Sequence, residues 1–187
     1  MTIPNLITIL RFLLVPAVVL AMLKAQWGWA FGGFIVAGVS DAIDGFIARS
    51  FNQGSRLGAY LDPMADKVLL VCVFVVLGII IGELPLWLVI AAVSRDVLIV
   101  CAVLLSTVMG QPVEMRPLMV SKVNTAVQIV LAAFVLGELA FDLSLGPMRP
   151  FLILASGLLT VASAAAYLVA WLKHMSGYGE GSTPGST

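Results

Sequence analysis

Asp41, Asp44, Asp62 and Asp66 are the residues best placed to do chemistry, and all lie within DAIDGFIARSFNQGSRLGAYLDPMADK, from Asp41 to Lys67. The flanking segments are apolar enough to lie in a membrane, where one carboxylate at the centre of a spanning helix costs about 2.5 to 3.5 kcal/mol on insertion scales. Four unpaired ones would rival the net stability of a typical domain, about 5 to 15 kcal/mol. Something must satisfy them, and their spacing suggests what. Asp41, Asp44, Gly45 and Ala48 recur at helical intervals and share one face of a helix. Gly58, Asp62 and Asp66 recur every four residues on one face of the next.

Carboxylates brought together repel, by about 4 kcal/mol for two unit charges at 4 Å and an effective dielectric of 20. A divalent cation reverses the sign of that interaction. An all-oxygen donor set with no His or Cys suits Mg²⁺ or Mn²⁺ rather than zinc, and four carboxylates suffice for two divalent cations. Gly45, Ala48 and Gly58 leave open space beside them for a bulky ligand, and Arg49 offers a bidentate fork for a phosphate. These features describe a metal-dependent diphosphate site. The competing reading pairs the aspartates with Arg49, Arg56, Lys67 and Arg95 in salt bridges that only fix the bundle. Four acids and three small residues in so short a span are an expensive way to do that. Lys67, at a helix end, reads as a snorkelling surface cation.

The elements that must position this stretch are membrane helices. Of 187 residues, 61% are hydrophobic and 11% charged, against roughly a quarter charged in a soluble domain, and the mean hydropathy is +1.10. The chain reads as an all-α integral membrane protein. About 20 apolar residues make one span, which predicts six transmembrane helices: Ile3 to Leu23, Trp27 to Ser50, Gly58 to Ile81, Leu84 to Val108, Leu118 to Leu136 and Pro150 to Leu172. Short connections make them one bundle over residues 1–174, with the second and third helices as antiparallel neighbours. The Gly/Ser/Thr-rich tail, 175–187, reads as disordered. Basic residues favour one side: Arg49, Arg56, Arg116, Lys122, Lys173 and His174, against Lys24 and Arg149 on the other. Both termini are therefore expected in the cytoplasm, with the acidic stretch facing it, as at a bacterial inner membrane. Cys72 and Cys101 sit in apolar runs without metal or redox spacing and read as small buried hydrophobes.

The pattern Asp41-x2-Asp44-Gly45-x2-Ala48-Arg49-x8-Gly58-x3-Asp62-x3-Asp66 resembles the full signature of the CDP-alcohol phosphotransferases, with every element present at its spacing. The resemblance implies a six-helix membrane enzyme, a homodimer, that displaces CMP from a CDP-alcohol with two divalent ions. It further implies that Asp41, Asp44, Asp62 and Asp66 are metal ligands, that Asp66 is also the general base, that Gly45, Ala48 and Gly58 line the cytidine pocket, and that Arg49 holds the diphosphate.

The acceptor must be read elsewhere. IPNLITILRFLLVP at the start of the chain resembles a subgroup containing phosphatidylglycerophosphate synthases and CMP-forming cardiolipin synthases. SRDVLIV (94–100) and SKVNTAVQIVL (121–131) look closer to the latter. The implied donor is CDP-diacylglycerol and the implied acceptor phosphatidylglycerol, with glycerol 3-phosphate as the alternative; no nucleic acid is expected. Either acceptor carries a phosphate. Arg95, Lys122 and Arg116 are the candidate cations, with Asn124 and Gln128 expected on the same side as Lys122. Arg95 and Asp96 also read as an ion pair or a polar contact between helices, and Arg116 as an ordinary cytoplasmic-side charge. A coupled transporter, the other class that intramembrane acids suggest, is disfavoured because the acids cluster at one end and no internal repeat is present.

Overall fold

A computed structural model describes residues 3–51, 67–108, 119–143 and 146–179, with side chains described over 13–40, 67–102, 105, 119–143 and 146–172. The described residues are helical apart from short turns, and none is in a strand. The elements are α1 (Ile3–Leu23), α2 (Trp27–Phe51), α3 (described over Lys67–Ile80, its last turn Val76–Ile80 a π-helix), α4 (Leu86–Val108), α5 (Met119–Phe141) and α6 (Met148–Gly179).

Several helix ends differ from the sequence expectation, each for a local reason. α4 starts at Leu86 rather than Leu84 because Pro85, which lacks an N–H, supplies the carbonyl accepting from Leu88 and Val89. α5 does not stop at Leu136. Gly137 is a packing glycine: a Cβ there would lie 3.4 Å from the Phe31 ring. The helix ends instead at Asp142, which adopts φ 53° while Leu143 N–H reaches back to the Glu138 carbonyl, a Schellman closure. The α1–α2 turn uses the same device at Ala25, also at φ 53°, with Gln26 N–H bonded to the Ala21 carbonyl. α6 starts at Met148, tolerates Pro150 in its first turn, and runs to Gly179, into the tail expected from Met175.

Among the described residues, α1 lies against α2, α2 against α5, α5 against α6 and α6 against α4, while the π-turn of α3 touches α1 and α4. The core is made by Val18, Met22, Phe34, Val73, Phe74, Leu77, Leu88, Leu131 and Val135. Surface and interior are reversed relative to a soluble protein. Leu13, Trp29, Ile90, Val97, Phe151, Leu158 and Val161 are exposed, whereas Arg95, Asn124, Gln128, Ser156, Thr160 and Ser163 are buried. So large an apolar exterior marks a surface made for lipid or another protein. Two of the described helices are long and apolar enough to cross a membrane, Met119–Phe141 and Met148–Leu172. Of the cysteines, both free, Cys72 is half-buried; Cys101 is exposed, contrary to its buried expectation, because its position on α4 faces outward.

One end of the bundle is tied by Arg149, which donates to the carbonyl and the carboxylate of Glu83 and lies 3.8 Å from Glu138 Oε2. That brings the α3–α4 turn beside the end of α5. The start of α2 is there too, since the rings of Phe31 and Phe141 meet edge to face at 5.6 Å. α2 begins where α3 ends, so the two run antiparallel as expected.

Close helix contacts rest on glycine. A Cβ at Gly157 on α6 would lie 2.6 Å from the Trp87 ring of α4. Gly157→Ala is therefore expected to destabilise by about 1 to 3 kcal/mol through overpacking, read as a fall in unfolding temperature of about 2 to 4 °C per kcal/mol for a chain of this size. An unchanged melt would show that the α4–α6 contact is looser than this.

Candidate active site

Of the candidate site, the structure describes the backbone of the half carried by α2. α2 continues as one helix through Phe51, so Asp41, Asp44, Gly45 and Ala48 do occupy one face of it, with Arg49 adjoining. The side chains of these five residues lie outside the described ones, as do Gly58, Asp62, Asp66 and Arg116 altogether. By helix rise, Asp41 stands ~21 Å along α2 from Trp27, and Lys67 ~20 Å along α3 from Ile80. Between the two helices runs a cavity of about 350 Å³, walled by Phe34, Ala37 and Gly38 of α2, Leu69 and Leu70 of α3, and Ile129 of α5. It is mostly apolar, and Gly38 in its wall lies one turn before Asp41 along α2.

At the first described residue of α3, charges join α3 to α4. Lys67 Nζ donates to Asp96 Oδ1 at 3.3 Å, and the same oxygen accepts from Arg95 Nη1 at 2.5 Å. Arg95 is only 3% exposed. Its Nε and Nη2 donate to Ser163 Oγ at 3.2 and 2.8 Å, Nη2 also donates to Ser121 Oγ, and its guanidinium stands 5.9 Å from the centre of the Tyr167 ring. A guanidinium carries five N–H groups; among the described residues these bonds leave a single Nη1 hydrogen for a ligand. Arg95 thus forms the interhelical contact that was one of its two sequence readings, joining α4 to α5 and α6. Lys67, read as a snorkelling cation, is half in and half out, with Asp96 as its partner.

Below this cluster a second polar seam joins α5 to α6. Gln128 Nε2 donates to Thr160 Oγ1 at 3.2 Å, and Thr160 Oγ1 donates to Asn124 Oδ1 at 3.0 Å. Asn124 is wholly buried, and its Nδ2 has no hydrogen-bond partner among the described residues. The expectation that Lys122 shares a side with Asn124 and Gln128 is corrected. Lys122 is exposed where they are buried, because two positions along an α-helix turn the side chain by about 200°. Ser163, Thr160 and Tyr167 were missed in the sequence. Ser156, Thr160 and Ser163 form a helical stripe in an otherwise apolar segment, and that spacing was the available signal.

With this arrangement in view, the chain was compared with known proteins. The family model for CDP-alcohol phosphatidyltransferase matches residues 1–174. The chain belongs to that family. Relatives of this phosphatidyltransferase chain include a cardiolipin synthase (CMP-forming) of Rattus norvegicus, 35% identical over 182 residues, covering 89% of this chain and 60% of the relative. A putative cardiolipin synthase of Mycobacterium tuberculosis (strain ATCC 25618 / H37Rv) is 43% identical over 100 residues, 53% of this chain and 47% of the relative. A CDP-diacylglycerol--glycerol-3-phosphate 3-phosphatidyltransferase of Bacillus subtilis (strain 168) is 30% identical over 180 residues, 88% of this chain and 92% of the relative. The chain spans 60% of the length of the rat and human synthases it matches.

The burial of Arg95 separates it energetically from Lys122. Arg95→Met leaves Asp96 with one partner fewer and two serines without a donor. It is expected to cost about 3 kcal/mol, whereas Lys122→Met stays within about 0.5 kcal/mol. Thermal unfolding in detergent checks this; equal losses would mean that Arg95 is not the hub described.

Proposed function

We propose that this phosphatidyltransferase transfers the phosphatidyl group of CDP-diacylglycerol to phosphatidylglycerol, giving cardiolipin and CMP. The observation that carries the reading is the apolar cavity between α2, α3 and α5, whose wall reaches within one helical turn of Asp41 along α2. A substrate with a diphosphate head and acyl tails needs polar and apolar ground side by side, and an apolar cavity next to the aspartate motif of α2 supports that reading. Six membrane spans, cytoplasmic termini, a homodimer and an active site facing the cytoplasm of a bacterial cell belong to the same proposal.

The donor set fits divalent ions by its chemistry, being four carboxylates within residues 41–66, with no nitrogen or sulfur ligand in the motif. Asp41, Asp44, Asp62 and Asp66 would hold Mg²⁺ or Mn²⁺. Ions bound there neutralise charge on the attacking and leaving oxygens of a displacement at phosphorus. The chain supplies the rest. Arg49 orients the diphosphate, and Gly45, Ala48 and Gly58 keep side chains out of the space the cytidine needs. Asp66 takes the proton from the acceptor hydroxyl as that oxygen bonds to the β-phosphorus; the bond from this phosphorus to the bridging oxygen breaks and CMP leaves. The acceptor's phosphate falls to Lys122, which is exposed, and to the remaining N–H of Arg95, with Arg116 and Asn124 as further candidates.

A second reading, phosphatidylglycerophosphate synthesis from glycerol 3-phosphate, is favoured by the Bacillus subtilis relative, which the chain matches over 92% of that protein's length. The purified chain offered CDP-diacylglycerol and Mg²⁺ with each acceptor in turn decides between them. Cardiolipin formation from phosphatidylglycerol is expected; turnover of glycerol 3-phosphate alone would install the second reading. Asp66→Asn is expected to lower CMP release by about 10²- to 10⁴-fold, the range for loss of a general base, without loss of the folded state. Full activity in that variant would remove Asp66 from the reaction.

A further inference from the structure

Two adjacent glycines of α2 do different work beside α1. A Cβ at Gly33 would lie 2.8 Å from Val18 Cγ2, so this glycine lets the two helices touch. At Gly32 a Cβ would meet no described atom within 4 Å. That position opens onto a groove of about 600 Å³ between α1 and α2, walled also by Ala17, Ala21 and Val36. Lys24 and Gln26, in the α1–α2 turn, stand at one end of it. This is the stapled end of the bundle, whereas Asp41 stands ~21 Å along α2 from Trp27. The groove is therefore apart from the candidate active site.

The chemistry of the groove selects its occupant. Lys24 is exposed, its ammonium has no partner among the described residues, and no acid lines the groove with it. Trp29, also in the wall, is 79% exposed. An exposed tryptophan beside an exposed lysine marks the headgroup level of a bilayer, where the ring is at home and the ammonium snorkels to water. From Trp29 the wall runs two turns on to Val36, ~10 Å into the apolar zone. A ligand with an anionic head and an acyl chain matches both ends of this gradient. A second copy fits worse: inserted in the same direction and meeting this face with its own, it would bring two unpaired Lys24 cations to one level. We propose that the α1–α2 groove binds an anionic phospholipid of the leaflet at the stapled end, with an acyl chain lying over Gly32 and the phosphate on the Lys24 ammonium.

Phosphatidic acid is the probe, since it has the phosphate and the chains but no alcohol that the proposed reaction could use. With bromine on its acyl chains it quenches nearby tryptophans, and the full chain in neutral detergent should show saturable quenching. Phosphatidylcholine brominated in the same way, its charge cancelled by choline, should need about fivefold more for half-saturation. Lys24→Gln should raise the half-saturating phosphatidic acid about tenfold and erase the preference between the two lipids. Trp29→Phe should lose most of the saturable quenching, which separates this groove from Trp27, Trp87 and Trp171. Gly32→Leu fills the groove without meeting a described neighbour at Cβ, and leucine favours a helix over glycine. It should abolish saturation with no fall in unfolding temperature. Unchanged saturation in Gly32→Leu, equal affinity of wild type for the two lipids, or displacement by an equal concentration of inorganic phosphate overturns the proposal. So does a wild-type dimer that Gly32→Leu turns into a monomer by light scattering, which would give the groove to a second copy. If Gly32→Leu does not fold, Trp29→Phe and Lys24→Gln, both at exposed positions, decide: quenching and preference retained in both remove the site. None of these readouts involves turnover, so this proposal and the reading of the reaction fall separately.

Discussion

Everything in this bundle depends on one constraint: a polar or charged group inside an apolar medium must find its partner within the protein. Arg95 shows how the chain meets it. The guanidinium is almost fully buried, and its donors are distributed over serines on α5 and α6 and an aspartate on α4. The long Arg95 side chain spans from α4 to α5, while α6, which carries Ser163, packs directly against both. The polar hub and the tight helix contacts are therefore one requirement. The Gly157 site against Trp87 meets it on α4 and α6, and Gly78, where a Cβ would lie 2.4 Å from Val89, meets it between α3 and α4.

The same constraint shapes the two ends of the bundle differently. At one end, Arg149 ties the α3–α4 turn to α5, and left-handed residues at Ala25, Gly82 and Asp142 close the helices quickly. That end is short, stapled and without a candidate reaction. At the other, Lys67, Asp96 and Arg95 join α3 to α4, α5 and α6. α3 bridges the two, with a π-turn where it meets the stapled end and Lys67 where it meets the acidic stretch. A π-turn adds a residue to the helix and shifts the register of what precedes it, so the start of α3 is set by packing some 20 Å away, by helix rise.

Much of this was legible in the sequence because apolar run length and helical spacing are local properties. Trp27 as the start of α2, the shared face of Asp41 and Asp44, and the antiparallel partnership of α2 and α3 follow from such signals. What failed was the set of features fixed by tertiary partners. Gly137 looks like a helix end but is the place where Phe31 needs room. Lys122 and Asn124 look like neighbours in the string and point apart on the helix. The role of Arg95 was undecided between substrate and scaffold, since only its distance to Ser163, 68 residues away in the chain, could settle its bonding.

On the proposed reading, donor and acceptor chemistry fall to different parts of the chain and answer to different pressures. The aspartate motif would need a fixed set of carboxylates at fixed spacing, because a diphosphate and its ions admit little variation in geometry. The acceptor would meet α4, α5 and α6, whose buried hydroxyls, amides and guanidinium bond largely to one another, with Asn124 Nδ2 left over among the described residues. An acceptor phosphate entering there would use a cation left exposed, such as Lys122, or the one Nη1 hydrogen of Arg95 that the bonds to described residues leave over. The first route leaves the hub intact and lets acceptor preference change with a few exposed residues. That separation explains physically why a motif can define the donor sharply while neighbouring members of one family differ in the alcohol they accept.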